Sequence, residues 1–145
     1  MVILKKIKDE KILLQYIEQE KKDRNYFKES QVQEMVVQYL DTIGVDCHPS
    51  LSGIQASRGL ARFMKKQGIK RGHSDLIIYK RVGNHELLFL ELKTVVGKLS
   101  KEQKEWLNTK REEGYAVSVS YGYYDAIYKI NRYLDNNPII YENEV

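Results

Sequence analysis

The chain has 145 residues, 42% hydrophobic and 30% charged, with two prolines and a net charge of +4: enough for one core, too few for two, and too apolar for a disordered polymer. No apolar stretch approaches the roughly 20 residues that cross a bilayer. The opening MVILKKIKDEK lacks the apolar run and cleavage site of a secretory signal, so a cytoplasmic protein is expected. A single cysteine, Cys47, without a CxxC companion, indicates neither a disulfide framework nor a zinc site.

From about Asp9 to Lys22, Ile12, Leu13, Tyr16 and Ile17 fall at helical spacing, before the chain turns polar in EQEKKDR. A second helix is marked by Ser30 and Gln33 as an S-x-x-Q cap, by the stripe Val32, Val36, Leu40 and Ile43, and by Gly44 as its stop. Glu34 lies off that stripe, at the edge of the buried face. VDCH predicts a short strand ended by Pro49, and RGLARFMKKQG a short helix or ordered loop.

Charge is unevenly spread. Between Asp46 and Asp75 there is no acid, while Arg58, Arg62, Lys65, Lys66, Lys70 and Arg71 fall in that interval. A stripe of this kind attracts a phosphate backbone, although lysine-rich solvated helix faces are also common.

Two apolar runs follow, Asp75 to Val82 and Glu86 to Thr94, separated by GNH, a hairpin signal. Their continuous apolar character predicts strands buried on both faces. Ser100 and Gln103 form another S-x-x-Q cap, opening a helix with Trp106 and Leu107 that ends at Gly114. YAVSVSYG alternates as a strand, and a last helix starts at Asp125 with Ala126, Ile127, Ile130, Tyr133 and Leu134 on one side. The expected fold is α/β, a small mixed central sheet flanked by helices.

Alternation along a strand turns Glu91 and Lys93 of the ELK triplet to the same side. Asp75 joins them only if hairpin positions adding to about 166 lie opposite each other, which calls for a three- or five-residue loop near Gly83. A two-residue Gly-Asn loop would send Asp75 to the wrong face. In the right register, two carboxylates and the Leu92 carbonyl converge as oxygen ligands suited to magnesium or manganese, with an ammonium beside them.

RGHSDL, ELKT and GKLSKEQKEWL, in this order, resemble the VRR-NUC domain, the virus-type replication-repair nuclease branch of the PD-(D/E)XK superfamily. The resemblance runs from the helix carrying Glu34 to the final helix near Leu134. It divides the single domain into an N-terminal helical extension, 1–28, and a nuclease core, 29–135. Ser74 departs from the family pattern, standing where proline is expected, in a position that shapes a turn. The resemblance implies a restriction endonuclease-like core and a magnesium- or manganese-dependent DNA endonuclease of replication, recombination or repair, in a bacterial or virus-infected cell. Asp75, Glu91 and the Leu92 carbonyl are implied to hold the metal, with Glu34 acting through a water. Lys93 is implied to position or activate the attacking water, and Gln103 to support the site.

Arg58, Arg62, Lys65, Lys66, Lys70 and Arg71 would track the DNA backbone without reading bases. The absence of a base-reading motif favours structure-selective cutting, of branched DNA such as a four-way junction, by a homodimer whose interface the N-terminal helix could supply. The competing reading is a DNA-binding module that uses the 58–71 segment without cleavage. A third takes the tyrosines of the last part of the chain, Tyr121, Tyr123 and Tyr124 above all, as a base-stacking surface.

Overall fold

The computed structural model describes residues 9–50, 57–69 and 74–137. The element order is α1 (Glu10–Lys22), α2 (Glu29–Ile43), β1 (Cys47–Pro49), α3 (Arg58–Lys66), β2 (Leu76–Ile78), β3 (Leu88–Lys93), α4 (Lys101–Glu112), β4 (Ala116–Tyr121) and α5 (Tyr123–Leu134). The sheet order is β1-β2-β3-β4. β1 to β3 are antiparallel neighbours, and β4 is parallel to β3, reached through α4. The expected mixed α/β sheet is therefore present.

The pleat of β3 divides the interior. Leu88, Leu90 and Leu92 pack with Val32, Val36 and Leu40 of α2 and with Ala126, Ile127 and Ile130 of α5. On the other face of β4, Val117 and Val119 pack with Leu107 of α4, and Phe89 of β3 meets Trp106 edge to face at 4.9 Å. Helices on both faces explain why β3 is buried at every position.

The helix boundaries differ from the sequence reading at two points. α2 starts two residues earlier, at Glu29, and the Lys28 amide donates to Gln31 Oε1 at 2.9 Å, so the cap is built on Lys28 and Gln31 rather than Ser30 and Gln33. α5 starts at Tyr123, not Asp125. Its leading amides, those of Tyr123 and Tyr124, donate to Glu20 Oε1 (2.7 Å) and Oε2 (3.1 Å), a buried acid on α1. An anion at a helix N-terminus satisfies orphan donors and meets the positive end of the dipole. The preceding Gly122 has φ +98°, and a β-carbon there would lie 2.5 Å from Glu20 Oε1, so this close approach requires glycine.

The hairpin carries the most consequential correction. β2 pairs with β3 as Leu76 with Leu90, Ile77 with Phe89 and Ile78 with Leu88, each pair adding to 166. Yet the turn is the two-residue Gly83-Asn84 loop, closed by reciprocal 3.0 Å hydrogen bonds between Val82 and His85. Gly83 supplies the positive φ, +57°, that such a turn needs at its first central residue. Loop and register are reconciled between the two pairings, where Tyr79, Lys80 and Arg81 face only Glu86 and Leu87. One extra residue on the first strand shifts the register by one, as a β-bulge does.

Candidate active site

With positions adding to 166 paired, Asp75, directly before β2, stands opposite Glu91 on the same side of the sheet. Asp75 Oδ2 accepts from the Leu92 amide at 2.8 Å. The N–H and C=O of one strand residue leave toward the same edge, so the Leu92 carbonyl is directed to the side where Asp75 sits. The alternation is consistent: the next carbonyl, that of Lys93, accepts from Gly122 on the β4 side at 2.9 Å.

Glu91 is 1% exposed. Its Oε1 accepts from Gln103 Nε2 at 2.8 Å and lies 3.5 Å from Lys93 Nζ, while Oε2 is buried with no side-chain or backbone donor beside it, and the carboxyl shares a proton with Asp75. Gln103 joins the cap of α4 to Glu91. Its Oε1 accepts from the Ser100 amide at 2.8 Å, its own amide donates to Ser100 Oγ at 3.1 Å, and its Nε2 holds Glu91. The capping box thereby fixes the rotamer that reaches the carboxylate.

The third acid is not the expected one. Glu34 is exposed on α2, about 140° around the helix from Glu29 at 3.6 residues per turn. Glu29 instead places Oε1 3.8 Å from Lys93 Nζ. Among the described residues, Glu29, Asp75 and Glu91 offer carboxylate oxygens all within 4.8 Å of one another. The signal for Glu29 was present in the sequence. It lies three and seven residues before Val32 and Val36, in phase with the buried stripe, whereas Glu34 is off it.

The electrostatics follow from crowding three acids where Glu91 is buried, Asp75 partly buried and Glu29 exposed. Burial raises the pKa of all three, and each of Glu29 and Glu91 is raised further by the charge of Asp75. For Glu91 the result is about 9, with Lys93 pulling the other way. Three carboxylates against one ammonium leave two negative charges uncompensated when all are ionised. That deficit and the all-oxygen donor set fit a hard divalent cation.

The model for the VRR-NUC domain matches residues 9–123. The chain belongs to the VRR-NUC domain family. This is a family of nuclease domains, which implies a DNA substrate, and the match includes α1. A solved structure described as a VRR_NUC domain protein is similar at 25% identity and a TM-score of 0.60, over 77% of this chain and 91% of that one. Another, described as a VRR_NUC domain, shares the fold at 20% identity and a TM-score of 0.52, over 72% and 96%. No curated protein matches.

The other predicted positions are placed as follows. Arg58, Arg62, Lys65 and Lys66 lie on α3 and are exposed; Lys70 and Arg71 lie outside the described residues. Of the three tyrosines considered for stacking, Tyr123 is buried, Tyr124 packs on Tyr16 with centroids 4.9 Å apart, and Tyr121 lies beside Leu107, Val117 and Val119. Their rings serve the core more than an open surface.

Proposed function

We propose that this VRR-NUC chain is a divalent-metal-dependent DNA endonuclease that prefers branched DNA, four-way junctions included, and works as a homodimer. The convergence of Glu29, Asp75 and Glu91 on one spot with Lys93 between two of them carries the metal-dependent part. Glu29, Asp75, Glu91 and the Leu92 carbonyl would hold magnesium or manganese. When bound, the cation supplies positive charge to the scissile phosphate and acidifies water.

The chain's own residues do the rest. Lys93 Nζ, steered by Glu91 and Glu29, offers an ammonium to a phosphate oxygen as charge builds during in-line attack. Gln103 and the Leu92 amide hold Glu91 and Asp75 in orientation, so little reorganisation accompanies the reaction. Arg58, Arg62, Lys65 and Lys66 give α3 four cations and no acid in nine residues, a surface suited to tracking a phosphate backbone. A four-way junction calls for two symmetric cuts, which a homodimer would supply.

The test is a panel of labelled duplex, flap and four-way substrates incubated with magnesium, manganese or chelator. Cleavage is expected only with metal and fastest on branched DNA. Asp75→Asn and Lys93→Ala should each lower the rate by about 100-fold or more while leaving DNA binding within a few fold. Full activity of both variants, or cutting in chelator, overturns the assignment.

A further inference from the structure

The chain segment that enters the carboxylate cluster carries an unusual pair of side chains. Tyr26 and Phe27, in the connection between α1 and α2, are each 40% exposed, and Phe27 is two residues before Glu29. Two extended residues span about 7 Å, so the Phe27 backbone lies within that distance of the backbone of Glu29, whose carboxylate is a proposed metal ligand. The segment leaving the cluster repeats the theme. Val96, three residues after Lys93 in the turn closed by Gly97 N–H to Thr94 O at 3.0 Å, is 61% exposed. Both paths away from the acids therefore present apolar side chains to solvent, interleaved with Lys28 and Lys98, which are exposed cations.

Resting on the nuclease reading above, we propose that Tyr26 and Phe27 stack on the nucleobase next to the phosphate that is cut. Aromatic faces accept any base, and a base lies within a few ångströms of its own phosphate, the reach set by the spacing of Phe27 and Glu29. A base held in a duplex has its faces covered by its neighbours. The substrate this rim selects is therefore DNA with an unpaired or easily unstacked nucleotide at the cut, as at a flap base or a junction. This supplies selectivity that the cations of α3, which follow any backbone, do not.

Phe27 also directly precedes the α2 cap, with the buried Val32 at the fourth helical position, the arrangement of a hydrophobic staple. That arrangement does not involve Tyr26.

The experiment uses full-length protein with Tyr26→Leu, Phe27→Leu and the double variant. Leucine keeps apolar volume for the staple and removes the ring. The cut site on a flap oligonucleotide is mapped with wild type and magnesium. 2-Aminopurine is then placed at the nucleotide flanking the cut, and binding and fluorescence are followed in chelator. Wild type should change the 2-aminopurine signal on binding, and the double variant should bind about 5- to 100-fold more weakly with most of that signal lost. With an abasic site at that nucleotide, wild type and variant should bind equally, so that the two losses do not add.

Unchanged binding and fluorescence in the double variant overturn the proposal. So does an equal loss on intact and abasic DNA, or a lowered melting temperature that alone accounts for the loss, since those mark a structural role. A shift from dimer to monomer with fluorescence intact identifies the rim as a contact between copies and also overturns it. If wild type cuts normally while these results fail, the rim assignment alone falls. If wild type cuts no substrate with either metal, the nuclease reading falls with it.

Discussion

Replacing Glu91 with glutamine should stabilise the metal-free protein. Glu91 is 1% exposed, and burial together with the Asp75 charge raises its pKa from 4.5 to about 9. Between those values the unfolded chain has released a proton that the folded chain keeps, so stability falls as pH rises from about 4.5 to about 9. At pH 7 the gap from the unfolded value is about 2.5 pH units, worth at most about 3 kcal/mol at 1.36 kcal/mol per unit. Sharing of the proton with Asp75 makes about 1–3 kcal/mol the working range. Glutamine imitates the protonated acid, and its oxygen can still accept from Gln103.

The assay is urea unfolding in chelator at pH 5, 7 and 9. Wild type should lose stability across that range, and Glu91→Gln should be flatter and about 1–3 kcal/mol more stable at pH 7. Added magnesium should stabilise wild type at pH 8 and leave the variant unchanged, because a dication needs the ionised acid. A variant less stable than wild type at pH 7, or one with the same pH slope, would refute the claim that these acids are held together against their own repulsion.

Three more outcomes discriminate between residues. Glu29→Ala should weaken manganese binding at least tenfold by calorimetry, whereas Glu34→Ala should stay within about twofold of wild type, as its exposure on another face of α2 requires. Ser100→Ala removes only a cap, costing about 1 kcal/mol in unfolding with cleavage intact, while Gln103→Ala should also slow cleavage about 10- to 100-fold through Glu91. Glu20→Ala orphans the first amides of α5 and should cost about 2–3 kcal/mol in urea unfolding, far more than replacement of an exposed acid such as Glu18.

Much of this architecture was legible in the chain because it depends on local periodicity. The ELK spacing put Glu91 and Lys93 on one side of a strand, Ser100 and Gln103 announced a capping box, and uninterrupted apolar residues announced a strand covered on both faces. These are consequences of backbone geometry within a few residues, and sequence order records them directly. The family motif around Asp75, ELKT and GKLS is legible for the same reason.

What tertiary structure decided were the matters that depend on residues far apart. A two-residue turn and a 166 register are incompatible in a regular hairpin, and only a bulge at Tyr79–Arg81, which no local signal announced, lets both stand. The helical phase of Glu29 is legible, but Glu29 rather than Glu34 enters the cluster because the N-terminus of α2 is docked near the end of β3. Glu20 reads as one more charge in a solvated run until α5 is brought over it, some hundred residues later in the chain. A side chain's partner at long range is fixed by how packed elements meet, and that is a property of the whole core.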